Sequence, residues 1–168
     1  MTDDYHQILS IAQNTRKIFE EMLDHSIGSA TTKGTCLYAA FLCAEVIRKF
    51  SGFPTRIRGG DGEFKKGINI QGSCHGHYWT EVSVNGCRYI VDITADQFGL
   101  PPVLVVDAIE DSLRYRPGLQ AAVDAHVNDL RRELEKQRHV DASTSQPAVA
   151  PGTSQSSGSM SNISEGRI

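Results

Sequence analysis

Up to Phe50 the apolar positions recur at the spacing of an α-helix, and beyond Pro54 the spacing drops to two. Residues 4–25 predict an amphipathic helix, with Ile8, Ile11, Thr15, Ile18 and Met22 on one face beside Phe19 and Leu23. A small polar loop, 26–34, leads to a second predicted helix over 35–50, whose Ala40, Phe41, Ala44, Ile47 and Phe50 face inward. Ser51-Gly52 supplies the stop, and Pro54 blocks continuation.

Residues 54–58 then read as a strand. Gly59-Gly60-Asp61-Gly62 lacks the strand-to-helix setting of a phosphate-binding loop and is expected to be a flexible connection. Over 77–84 the residues alternate, with Tyr78, Thr80, Val82 and Val84 on one side and His77, Trp79, Glu81 and Ser83 on the other. Asn85-Gly86 is a strong hairpin signal, and 88–93 returns as the partner strand. A less regular stretch, punctuated by Leu100-Pro101-Pro102 and Arg116-Pro117-Gly118, contains the apolar run 103–106. A third amphipathic helix is predicted over 119–139, with Leu119, Val123, Val127, Leu130 and Leu134 in a stripe. Packing on its own domain is the simplest use of that stripe; docking a partner is the alternative. From Asp141 the chain is mostly Ser, Gly, Pro, Gln and Thr, with little to bury. The expected organisation is a folded α+β domain over 1–140 and a disordered tail over 141–168, with no internal repeat.

Composition narrows the classes. The chain has 168 residues, 39% of them hydrophobic, enough for one domain with a real core. No apolar run approaches membrane-spanning length, so no membrane partner is expected. Net charge is −3, and basic residues are scattered apart from pairs such as Lys65-Lys66 and Arg131-Arg132. Nucleic acid is therefore not an expected partner. The start, Met1-Thr2-Asp3-Asp4, lacks a signal-peptide pattern, which makes the cytoplasm the expected location. Delivery by a route without a cleavable signal stays open. In a reducing compartment Cys36, Cys43, Cys74 and Cys87 should be thiols, each a core residue, a metal ligand or a nucleophile.

Cys36 stands out by position. It falls in the first turn of the second predicted helix, after Lys33-Gly34-Thr35. Exposed backbone N–H groups and the positive end of the helix dipole favour thiolate there, and could hold an oxyanion. A buried structural cysteine is the alternative. His77 begins a strand beside Gly76 and can serve as a base toward the thiol, with Trp79 walling the same face. A two-residue turn at Asn85-Gly86 pairs Val84 with Cys87. Continued outward, it sets Trp79 opposite Asp92, with His77 diagonal on the same face. Asp92 can then accept a hydrogen bond from the imidazole and orient it. A capping aspartate at a strand end is the alternative. His75 is the rival base, outside the Trp79 face, and Asp96 reads as a turn residue. Glu81 is expected to pair with Arg56 or Arg88, and Cys43 is explained by packing.

Cys74, His75, His77 and Cys87 invite a zinc reading, but a second complete ligand pair is lacking, and Cys87 falls at the far end of the hairpin. No metal or other cofactor is expected.

Three segments together resemble a known family. Gly34-Thr35-Cys36-Leu37-Tyr38-Ala39-Ala40, with the following helix and Gly52-Phe53-Pro54-Thr55-Arg56, is similar to the nucleophile helix of the transglutaminase-like superfamily. His77-Tyr78-Trp79-Thr80-Glu81-Val82 resembles its His-x-Trp-x-Glu-Val strand. Tyr89-Ile90-Val91-Asp92-Ile93-Thr94 resembles its aromatic-x-Val-Asp-x-Thr strand. The resemblance covers about residues 34–99, in the family order of Cys, His, Asp. It implies a papain-like α+β core, with the nucleophile helix packed on an antiparallel sheet, and a catalytic Cys36, His77 and Asp92. A compact bacterial or phage-type member fits the chain length best. The implied chemistry is thiolate attack on amide carbonyls of a peptide or protein, leading to hydrolysis, deamidation or transamidation. A non-catalytic module that keeps the fold and binds a peptide or protein is the second reading, and a zinc-stabilised structural protein the third.

Overall fold

The computed structural model describes residues 2–28 and 31–144. Helix α1 (Asp3–Ile27) starts at Thr2, whose hydroxyl accepts the Tyr5 backbone N–H, and Asp3 and Asp4 suit its positive end. Its buried stripe is Ile8, Ala12, Thr15, Phe19 and Leu23. Ile18 and Met22, expected inside, are about half exposed. The helix is rotated so that small Ala12 and Thr15 meet the interior, and the Thr15 hydroxyl is satisfied by the Ile11 carbonyl at 2.8 Å. Helix α2 (Cys36–Ser51) ends at Gly52, whose φ of +74° is the left-handed stop that glycine adopts freely. It buries Ala39, Ala40, Cys43, Ala44 and Ile47. Phe50, expected inside, is 66% exposed in the last turn of the helix, whereas Ile47, one turn earlier, is buried in the core.

Strand β1 (Thr55–Gly60) runs antiparallel to β4 (His77–Val84). Gly59 and Gly60 are therefore strand residues, paired with Tyr78 and His77, and not a flexible connection. A Cβ on Gly59 would lie 2.5 Å from the Tyr78 ring, and one on Gly60 2.6 Å from the Lys66 backbone. Close packing requires glycine at both.

Between these strands come β2 (Gly67–Ile70) and β3 (Ser73–His75). The hairpin of β4 and β5 (Cys87–Asp92) turns at Asn85-Gly86, with φ of +48° and +81°. Val84 pairs with Cys87 and Thr80 with Val91, the register the turn predicts. After β6 (Leu104–Asp107) and β7 (Tyr115–Arg116) the chain ends its described part in α3 (Gln120–Thr144). Helical backbone thus continues through 141–144, where the tail was expected to begin; from 145 the tail lies outside the described residues. Leu119, assigned to the helix stripe, precedes the helix and is 81% exposed, whereas Val123 and Leu130 are buried.

Among the described residues the architecture is α+β: three α-helices with a four-stranded antiparallel sheet, order β1-β4-β5-β6, and a three-stranded antiparallel sheet, order β3-β2-β7. Ile8, Phe19, Cys43 and Ile47 pack with Val82 and Val91 on one face of the larger sheet. Trp79 and Ile90, pointing the other way, pack with Ile68 and Tyr115 of the smaller sheet. Both faces of β4 are covered near its start. For that reason His77, Trp79, Thr80 and Val82 are all buried although the sequence alternates. Among the described residues no helix is long and apolar enough to cross a membrane.

Candidate active site

Strand β4 carries His77 at its first residue, and β5 carries Asp92 at its last. The two side chains are buried to 0% and 1% exposure and share a hydrogen bond of 2.7 Å, from His77 Nε2 to Asp92 Oδ2. Tyr115 Oη donates to the same oxygen at 2.8 Å. The other oxygen, Oδ1, accepts the Thr94 backbone N–H at 2.9 Å and the Thr94 hydroxyl at 3.3 Å. A buried carboxylate is costly unless its lone pairs are engaged, and here both oxygens are.

The histidine is held from several sides. Phe98 meets its ring edge-on at a centroid distance of 4.9 Å, and Trp79 stacks against it at 6.4 Å. Burial opposes a charge on this ring. The Asp92 charge and hydrogen bond outweigh it, with smaller contributions from Cys36, and lift its pKa to about 9. Its second nitrogen, Nδ1, is buried with no hydrogen-bond partner. Cys36 raises the ring's pKa from nearby through side-chain hydrogen bonding and its charge, although Nδ1 has no close hydrogen-bond partner. The arrangement leaves one free nitrogen for a proton and one bound to a carboxylate.

Cys36 is the first residue of α2 and is partly exposed. Gly34, at φ +79°, turns the chain into the helix. The Thr35 hydroxyl donates back to the Thr32 carbonyl at 2.7 Å and does not cap the helix. The first-turn N–H groups, which a helix leaves without internal partners, thus start beside the thiol. This loop is tied to the 3₁₀ turn that follows Asp92 (Ala95–Phe98). Thr32 Oγ1 donates to Asp96 Oδ1 at 3.0 Å, and Gly34 N–H to Gln97 Oε1 at 3.4 Å. Asp96 is also gripped by both terminal nitrogens of Arg16, at 2.9 and 2.8 Å, and Arg16 donates to the Ile93 carbonyl at 2.6 Å. Burial opposes the Asp96 charge, yet the Arg16 pairing holds its pKa below the usual value. Asp96 is therefore an anchor in a 3₁₀ turn and more than the turn residue read from sequence.

The other sequence candidates separate. His75 lies on β3, exposed, its ring near Phe98 and outside the Asp92 bond. Cys43 is fully buried, and burial pushes its thiol up to about 12, as an inert packed residue requires. Glu81 pairs with Arg88 at 3.5 Å. Cys74 and His75 sit on β3 while Cys87 is exposed at the turn end of β5. Among the described residues no three His, Cys, Asp or Glu side chains gather as metal ligands. Sequence reasoning did not single out Tyr115, Phe98 or Arg16. Thr94 ends the Tyr89–Thr94 segment, and its Asp-x-Thr spacing is the signal for the turn that binds Asp92.

No family model, curated protein or solved structure matches this chain.

Proposed function

We propose that the protein is a cysteine-nucleophile enzyme with a transglutaminase-like, papain-like core, acting on amide bonds of a peptide or protein. The observation that carries the reading is the buried imidazole, bound to Asp92 through Nε2 and left with an unpartnered Nδ1 beside Cys36. A buried polar nitrogen without a partner is costly, and once it carries the thiol's proton it can donate to the thiolate left behind.

In this reading the Cys36 proton resides on His77 Nδ1, whose pKa of about 9 keeps the ring protonated at neutral pH, and the thiolate attacks the amide carbonyl. The N–H groups at the start of α2 hold the oxyanion. As the C–N bond breaks, His77 returns its proton to the leaving amine or ammonia, and a thioester remains. Water or an amine then attacks the thioester carbonyl, His77 removes its proton, and the Cys36 sulfur departs and regains that proton. Asp92 stays anionic throughout and stabilises the imidazolium. Water gives hydrolysis or deamidation; an amine gives transamidation.

The test is capture of the thioester. Wild-type protein is incubated with a complex peptide mixture and then with hydroxylamine, which releases thioester-bound acyl groups as hydroxamates. Mass spectrometry should find hydroxamates from wild type and none from Cys36→Ala. Equal amounts from both, or none from wild type, contradict the reading.

A further inference from the structure

A cleft of about 190 Å³ opens between the end of β1, Tyr78 near the start of β4 and the first turns of α3. Gly60 and Tyr78 line one wall, Ala122 and Val123 the other, with Phe64 and Leu119 at its mouth. Sites that enclose a whole drug-sized ligand begin near about 300 Å³. The cleft suits one side chain of a longer molecule.

Its lips are unusual for a surface in water. Phe64 is 90% exposed and its backbone, at φ +48°, occupies the left-handed region that a bulky residue avoids. Leu119, which lines the same cleft, is 81% exposed. An apolar group between them would remove both from water.

The wall carrying Tyr78 lies within reach of the sulfur's field. Burial, then the charges of Cys36 and Asp61, raise the Tyr78 phenol above its ordinary value. Tyr78 Oη shares a hydrogen bond of 2.6 Å with His126 Nδ1, which links β4 to α3. His126 also lines a second recess with Leu37 and Tyr38, the residues directly after Cys36, and with Asp129 and Glu133. The two recesses therefore share His126, and the second reaches the start of α2. Carboxylates outnumber cations in both: Asp61 and Glu63 face Lys66 in the first.

We propose that the cleft seats an apolar side chain of the substrate, carried by the acyl portion next to the carbonyl that Cys36 attacks, and that its carboxylates turn acidic chains away. The assignment rests on Cys36 as nucleophile. Ala122 and His126, on α3, then become specificity-determining residues.

The probes are acetyl-Gly-Xaa chloromethyl ketones with Xaa Phe, Leu, Gly or Glu, which alkylate a thiolate as the C–Cl bond breaks and chloride leaves. Each rate at Cys36, read by peptide mass spectrometry, is divided by the iodoacetamide rate at the same residue, since iodoacetamide presents no side chain. Phe and Leu reagents should exceed Gly and Glu by about tenfold or more. Ala122→Trp, an exposed helix position, fills the cleft and should reduce that preference to within about twofold. Equal normalised rates in wild type overturn the cleft assignment while leaving the nucleophile intact. Inertness of Cys36 toward iodoacetamide overturns the nucleophile. The cleft is then judged on Cys36→Ala titrated with acetyl-Gly-Phe amide: backbone amide shifts at Leu119, Ala122 and His126 support it, and shifts elsewhere or none overturn it.

Discussion

Asp92 holds the site together at the scale of single residues. It receives His77, Tyr115 and Thr94, and the ring it binds has its pKa raised to about 9 from the ordinary 6.5. Because the folded value is the higher one, the protonated ring stabilises the fold fully below about pH 6.5. That contribution is lost as pH rises through 9. In a Cys36→Ala background, the His77 ring followed by NMR should therefore titrate well above 6.5. With Asp92→Asn added it should titrate below 6.5, since burial alone then acts on it. The urea-midpoint gap between the two proteins should narrow from pH 6 to pH 10; a constant gap would contradict the assignment. Tyr115, whose phenol burial and the Asp92 charge keep protonated, is a donor only. Tyr115→Phe should lower stability by about 1–2 kcal/mol in urea unfolding, the cost of a buried acceptor losing one of its donors.

Between elements, the placement of Cys36 depends on ties distant in sequence. Arg16 of α1 is 80 residues from Asp96, and that turn in turn holds Thr32 and Gly34 ahead of α2. Arg16→Met should cost about 3 kcal/mol, because it leaves a partly buried carboxylate without its cation. It should also slow Cys36 alkylation; a change in stability alone would leave Arg16 a structural anchor only. These ties mark where the sequence stopped being legible. The hairpin was readable because Asn85-Gly86 fixes its register locally, and with it the facing of His77 and Asp92. The helices were readable by period, but their buried faces were not. Large Ile18, Met22 and Phe50 looked like core, while small Ala12 and Ala39 took those places. Gly59 and Gly60 looked flexible because glycine's close-packing role shows only against Tyr78 and Lys66. Tyr115 carried no local signal, since its partner is 23 residues away on another sheet.

Across the whole molecule, both sheets contribute to the buried His77–Asp92 pair, and the first turn of α2 lies near it. The larger sheet supplies His77 and Asp92, the smaller adds Tyr115, and α2 presents Cys36 from its first turn. The pair is buried while Cys36 is partly exposed, the combination that the proposed attack by its thiolate requires. Alkylation by iodoacetamide at pH 7, resolved for each cysteine by mass spectrometry in wild type and His77→Gln, tests this directly. Cys87 and Cys74 are the fair references because Cys43 is buried. Cys36 should react about tenfold or more faster than either in wild type and lose that lead in His77→Gln. A Cys36 that reacts no faster than exposed Cys87, or keeps its rate without the imidazole, would contradict the account.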